Sequence, residues 1–122
     1  MRDTKEAAMD KLASQTFSAR SEIESVSLER IFAEDRRLRI LEVLDKSPGY
    51  TANQVVLNEM LAQLGHLISS DKTRVELAWL AEMTLIELLA TDSLFVARLT
   101  QRGQDVATGR ATVPGVSVTR PT

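Results

Sequence analysis

The chain has no cysteine and a single histidine, His66, among its 122 residues. Without cysteine it can form no disulfide, thiolate metal site or cysteine nucleophile. One histidine excludes a multi-histidine metal site within one chain. Its carboxylates are scattered, with no paired-carboxylate spacing, nucleophile motif or glycine-rich phosphate loop. We therefore expect no catalytic residues, no cofactor, no bound metal and no enzymatic activity.

Long apolar runs and a strong charge of either sign are absent as well. No run approaches the roughly 18–20 apolar residues that a membrane span needs, and the N-terminus lacks the blocks of a signal peptide. We therefore expect a cytoplasmic protein with no membrane partner. Fifteen basic residues stand against seventeen acidic ones, so net charge alone predicts no strong attraction to nucleic acid.

What the chain does have is helical apolar spacing, first over about Leu28–Lys46. Ser27 is the expected N-cap of this helix, and a proline-glycine pair ends it. Thr51 and Gln54 stand at capping-box spacing and predict the start of a second helix. Gly65 is the expected residue after its end.

A third helix is predicted over about Asp71–Thr84, capped by Ser69 or Ser70. One apolar face includes Leu77 and Leu80. A second face lies nearly opposite and consists of Val75, Trp79 and Met83. A helix with two apolar faces is buried on both sides or contacts a second chain. These three residues are therefore either core or the interface of a homodimer.

After the third helix the period of the apolar residues becomes shorter. Two short apolar runs, Leu85–Ala90 and Leu94–Leu99, predict a β-hairpin. A short final helix is expected over about Gln101–Thr108. Three helices with a hairpin indicate a mainly α protein with a small β-hairpin, an α+β fold of the winged helix-turn-helix type.

This domain is predicted to span residues 27–109. Residues 1–26 are expected to be an N-terminal extension with a short helix near Lys5–Ser14, either a loose tail or an arm that packs on a partner. Residues 110–122 are expected to be an extended C-terminal tail.

Several stretches resemble known families. Leu80–Ile86 is similar to the end of the third helix, and Leu99–Ala107 to the exit from the wing, in bacterial ArsR- and MarR-like regulators. Ser27–Leu38, Leu77–Glu82 and Gly109–Val116 resemble a small ArsR-like winged-helix family of Mu-like phages and prophages. The resemblance implies a phage or prophage origin. It does not imply metal sensing, because the cysteine and histidine clusters of such sensors are absent.

In a helix-turn-helix, the start of the second helix of the motif enters the major groove of DNA. Here that helix is the third, and its candidate contacts are Ser69, Ser70, Lys72, Thr73 and Arg74. Serine and threonine hydroxyls can donate to phosphate, and Arg74 can read guanine. Arg98 and Arg102 flank the predicted β-hairpin, which is the wing of this fold. The tip of the wing carries Asp92, whose carboxylate phosphate would repel. Alternatively, the serines only cap the helix and the basic residues are solvated charges without a DNA contact.

Other polar residues are expected to be structural or solvated. The basic residues of the first helix, predicted to lie on a solvated face beside nearby carboxylates, are Arg36, Arg37 and Arg39. Asn53 and Gln54 can touch phosphate, but capping is at least as good an explanation. His66 is expected to be a surface or capping residue in the turn before the third helix.

Two functions follow from this reading. The first is a non-enzymatic phage or prophage protein that binds double-stranded DNA through its third helix, with transcriptional regulation as one role. The alternative is a winged-helix protein-interaction module that contacts phage proteins in DNA packaging or virion assembly, since a fold does not set a function.

Overall fold

A computed structural model of the chain describes residues 27–91 and 93–119. The helix predicted at Lys5–Ser14 and the wing-tip residue Asp92 lie outside the described residues. By compactness the chain divides after Ile31, and the buried core belongs to the unit that follows, Phe32–Thr122.

The first helix, α1, is described over residues 27–46, which confirms the predicted segment. Ser27 already lies within the helix, so its assignment as the N-cap is wrong. Leu41 and Leu44 are among the fully buried side chains of the core, and both belong to the apolar face that the spacing predicts.

A short 3₁₀ turn, Pro48–Tyr50, leads into a three-residue strand, β1 (Thr51–Asn53), and then into α2 (Gln54–Gln63). The predicted capping box is wrong, because Thr51 lies in the strand. The N-cap is Asn53, whose side-chain oxygen accepts a hydrogen bond from the Val56 N–H at 2.9 Å. Gly65, with φ +96°, follows the end of α2 as predicted.

The next helix, α3, spans Ser70–Glu82. Ser69 is its N-cap, as predicted. Thr84 lies outside the helix in the left-handed region, with φ +60°, so α3 is slightly shorter than expected. Leu77 and Leu80 are fully buried on the face that α3 turns to the core.

The predicted hairpin is confirmed as β2 (Ile86–Thr91) and β3 (Leu94–Leu99), which pair antiparallel. The other edge of β3 pairs with β1, so the sheet has the order β1-β3-β2. The strand β1 was not predicted, because three residues are too few to show an alternating pattern.

The last helix, α4 (Gln101–Ala107), is capped by Thr100, whose hydroxyl accepts a hydrogen bond from the Gly103 N–H. A Cβ at Gly103 would lie 2.0 Å from the Leu85 carbonyl oxygen. Glycine therefore lets α4 pack directly on the backbone that enters the sheet.

The segment after α4, expected as an extended tail, has no helix or strand in its described part, yet it packs on the core. Val113 and Val116 are buried. Arg37 of α1 donates a hydrogen bond to the Gly115 carbonyl oxygen at 2.9 Å. This segment is thus a strap across the helices rather than a free tail.

The architecture is α+β: helices pack around a three-stranded antiparallel sheet, an arrangement compatible with a winged helix-turn-helix. Among the described residues, none of the helices combines the length and apolar character needed to span a membrane.

Candidate nucleic-acid interface

The start of α3 is where the predicted DNA contacts come together. The Ser69 hydroxyl oxygen accepts a hydrogen bond from the Lys72 N–H at 3.1 Å. The side chains of Ser69, Ser70 and Lys72 are all exposed. A capped, exposed helix start offers backbone N–H donors to an anion, so this turn combines hydroxyls, amide donors and the Lys72 ammonium on a single surface.

Thr73 does not belong to this surface. Its side chain is fully buried, and its hydroxyl donates a hydrogen bond to the side-chain oxygen of Asn58 on α2. A buried, satisfied hydroxyl has no access to a phosphate. Its inclusion among the expected phosphate contacts is therefore corrected: Thr73 joins α3 to α2.

Arg74 is half-buried and lies over an aromatic ring of the sheet. Its guanidinium carbon is 4.3 Å from the centroid of Phe95 on β3, a distance typical of cation–π stacking. The Phe95 N–H donates a hydrogen bond to the side-chain oxygen of Gln54 at 2.8 Å, and the Gln54 amide nitrogen donates to the Ser70 hydroxyl at 3.1 Å. The first turn of α3 is therefore tied to the hairpin through Gln54.

The polar pair at the start of α2 makes structural hydrogen bonds. Asn53 is a cap, and Gln54 is buried with both ends of its amide engaged. The Gln54 side chain is therefore not free for phosphate, whereas Asn53 engages its side-chain oxygen as the cap. The signal that sequence reasoning missed is that Gln54 stands at the buried phase of α2, three and seven residues before Leu57 and Leu61.

Carboxylates are also present around the start of α3. Asp71 lies in the first turn of α3 and is exposed. Glu59 of α2 lines a shallow groove together with Ser70. With Lys72 and Arg74, the local sum is two positive and two negative charges, so the surface carries no strong positive field.

The wing arginines lie on exposed positions. Arg98 of β3 is paired in register with Glu87 of β2, and a directly opposite charge pair of this kind contributes at most about 1 kcal/mol. Arg102 is exposed in the first turn of α4. Both arginines are accessible to a ligand that approaches the hairpin.

The three residues proposed as a dimer interface occupy different environments. Val75 is 58% exposed on α3, while Trp79 and Met83 are half-buried. The Arg37 guanidinium covers Trp79 at 4.1 Å from the ring centroid, and a Cβ at Gly115 would lie 2.7 Å from this indole. Contacts within the chain therefore cover part of this face.

The arginines expected on a solvated face of α1 are in large part buried. Arg36 and Arg37 both place their Nε atoms near one carboxylate oxygen of Glu76 on α3, at 3.1 and 3.4 Å. The prediction holds only for Arg39, which is partly exposed and pairs with Glu42. Glu76 follows Thr73 and precedes Leu77 on the buried face of α3. The sequence signal for this ion pair was a charged residue, Glu76, at a position of the helical period that faces the core.

His66 is also buried, at 4% exposure, so its prediction as a surface or capping residue is wrong. Its Nε2 lies 2.8 Å from a carboxylate oxygen of Asp35 on α1. Its ring meets Phe32 edge-on, with centroids 5.9 Å apart. His66 thus anchors the connection between α2 and α3 to α1.

A larger groove lies elsewhere, among α1, α2 and α4. Its volume is about 730 Å³, and its apolar wall includes Val56, Met60 and Leu64 of α2. None of the predicted DNA contacts lines it. Within residues 27–91 and 93–119, no three histidine, aspartate or glutamate side chains are grouped so as to hold a metal ion.

Comparison with known proteins places the chain among phage proteins. No family model matches it, and no solved structure does. It is 38% identical over 78 residues to an uncharacterized protein of Haemophilus influenzae, which covers 63% of this chain and 76% of the relative. It is 44% identical over 91 residues to the uncharacterized protein gp26 of Escherichia phage Mu, which covers 75% of this chain and 94% of gp26. The chain therefore belongs to the gp26 family of Mu-like phages and prophages.

Proposed function

We propose that this protein is a non-enzymatic winged helix-turn-helix protein that binds double-stranded DNA in the host cytoplasm, with α3 in the major groove. The observation that carries the proposal is the exposed first turn of α3. There the capping serine, the helix amides and Lys72 form one surface, and Arg74 lies beside it. Helix starts of this kind contact the backbone and bases of DNA.

The order of elements supports this assignment. Two helices, α2 and α3, are joined by the short connection 64–69, and the β2–β3 hairpin follows directly. The hairpin is joined to α3 through the two hydrogen bonds of Gln54. The likeness to ArsR- and MarR-like regulators at the end of α3 and the exit from the wing favours transcriptional regulation as the role.

The charges set an upper limit on the salt dependence. Four cations are available on the predicted surface: Lys72, Arg74, Arg98 and Arg102. Each phosphate neutralised contributes about −0.9 to the slope of log K against log salt concentration. If all four contact phosphate, the slope is roughly −3.6, shallow for a DNA-binding protein.

A titration of labelled duplex DNA at several salt concentrations tests the proposal. We expect binding at low salt, with a slope between about −2 and −3.6. Lys72→Ala should make the slope shallower by about 0.9. The matched control, Lys46→Ala, changes an exposed lysine at the end of α1, beside the large groove, and should leave the slope unchanged. Absence of binding at low salt would refute DNA binding.

A second candidate, a protein-interaction module in DNA packaging or virion assembly, is favoured by exposed apolar side chains. Leu67 is 87% exposed, and Val75 and Leu89 are more than half exposed. Exposed apolar side chains of this kind are available for contact with a partner protein, and the balanced charge at α3 does not oppose such a contact.

Light scattering over a range of protein concentrations tests self-association on this surface. A dimer that Val75→Glu dissociates, combined with no duplex binding, would favour the second candidate. A monomer that binds duplex DNA would favour the first.

A further inference from the structure

Arg74 differs from the other cations of the proposed DNA surface because an aromatic ring fixes its guanidinium. The ring of Phe95 covers one face of the guanidinium at 4.3 Å. Stacking of this kind leaves the N–H donors, which lie in the guanidinium plane, free to bond at the edge. Lys72, Arg98 and Arg102 have no such stacking partner in the described part of the chain.

The donors of Arg74 are also uncommitted. No carboxylate of the described residues lies within ion-pair distance of Arg74, and no described side chain or backbone oxygen accepts a hydrogen bond from it. Arg74 also has no buried nitrogen that lacks a hydrogen-bond partner; among the described residues, such an atom is found at Arg37 Nε. The unbonded nitrogens of the half-buried Arg74 therefore still reach solvent. A planar fork of donors is thus held in place beside the α3 start, and nothing within residues 27–91 and 93–119 bonds to it.

Strand pairing and hydrogen bonds support this arrangement. Phe95 belongs to β3, the central strand of the sheet, and its backbone N–H is bonded to buried Gln54. Gln54 in turn bonds Ser70 in the first turn of α3. The ring and the helix that carries Arg74 are therefore fixed relative to each other, which lowers the ordering cost when the guanidinium binds.

We infer that Arg74 is a base-reading residue for guanine, and that Phe95 is the residue that positions it. A fixed guanidinium edge matches the O6 and N7 acceptors of guanine in the major groove, and this pairing is the commonest specific contact in protein–DNA complexes. The inference rests on the proposed function and adds to it the chemistry of the site: the preferred duplex contains a guanine at the position that faces Arg74.

Selection of bound duplexes from a random-sequence library, with the full chain, tests this inference. The wild type should enrich a motif with guanine at one defined position. Arg74→Met removes the donors and keeps the length of the side chain, so it should abolish that preference. The loss should be roughly 5- to 150-fold in discrimination, the range expected for one bidentate base contact.

Phe95 is tested by two substitutions. Phe95→Leu removes the ring face and should weaken the guanine preference at the same position, whereas Phe95→Tyr keeps the ring and should retain it. Arg102→Met is the matched control: it removes an unstacked cation and should lower the affinity for all duplexes equally without changing the motif. Thermal melting of each variant distinguishes a loss of the folded structure from a loss of the guanine preference.

The outcomes distinguish the two levels of the argument. If the wild type retains no duplex at all, DNA binding fails and the guanine contact fails with it. If it binds all sequences equally, or if Arg74→Met keeps the guanine preference, DNA binding stands and the base-reading role of Arg74 is overturned. If Phe95→Leu keeps the wild-type preference, Phe95 does not position Arg74.

Discussion

Replacing Glu76 with glutamine should destabilise the fold strongly, because this carboxylate is the counter-charge of two guanidinium groups. The side chains of Glu76, Arg36 and Arg37 are 3%, 7% and 18% exposed. Glutamine has nearly the same volume as glutamate, so the change removes charge without opening a cavity. Two cations then remain in a poorly solvated site with no anion beside them.

The expected cost is about 3–5 kcal/mol, the range found when one partner of a buried ion pair is removed. The stacking of Arg37 on Trp79 and its hydrogen bond to the Gly115 carbonyl both survive the change, so we expect the lower part of this range. Since domains have free energies of unfolding of about 5–15 kcal/mol, the loss is a large share of the total. It corresponds to a drop in Tm of at least about 12 °C for a domain of this size.

Urea unfolding followed by circular dichroism measures this loss directly. Glu82→Gln, an exposed glutamate at the end of the same helix, is the matched control and should change the free energy of unfolding by less than about 0.5 kcal/mol. Replacing Arg36 by methionine together with Glu76 by leucine should recover only part of the stability, because the apolar pair needs no counter-charge but Arg37 still lacks one. A Glu76→Gln variant within about 1 kcal/mol of the wild type would refute the argument.

Three further changes test the packing around the same core. Gly103→Ala puts a Cβ 2.0 Å from the Leu85 carbonyl oxygen, so α4 must move, and urea unfolding should show a loss of more than about 2 kcal/mol; a neutral effect would contradict the contact. Asn53→Ala removes the cap of α2 and should cost about 0.5–2 kcal/mol, whereas Asn53→Ser should restore most of it. Thr73→Val leaves the Asn58 oxygen without its donor and should cost about 1–3 kcal/mol. Because Thr73 is buried, the folded variant should bind duplex DNA with wild-type affinity. A weaker affinity of a fully folded variant would show that Thr73 contacts DNA after all.

Much of the secondary structure was predictable because its signals are local. The apolar spacing of α1, the Ser69 cap of α3 and the Thr100 cap of α4 depend on residues a few positions apart. The α3 start was predicted as an exposed polar turn for the same reason. The strand β1 escaped prediction because its pairing partner, β3, lies more than 40 residues away and nothing within three residues announces it.

The candidate site was predictable only in part. Ser69, Ser70 and Lys72 lie on the surface where the helix period put them, whereas Thr73, one residue further on, faces α2. Residue type indicated a phosphate contact for all four residues. Only their burial in the folded protein shows that Thr73 is inaccessible and that the other three are exposed. The fixing of Arg74 by Phe95 joins positions 21 residues apart and was not visible from composition or period.

The amino-acid sequence determined the helices, the hairpin, the caps of α3 and α4 and the absence of cysteine chemistry, because each depends on local spacing or on composition alone. Tertiary structure decided which charges meet. It brought Arg36 and Arg37 of α1 onto Glu76 of α3, buried His66 against Asp35, and drew the strap at Gly115 onto Trp79. These contacts depend on distances between segments remote in the chain, and only the packing of the elements sets those distances.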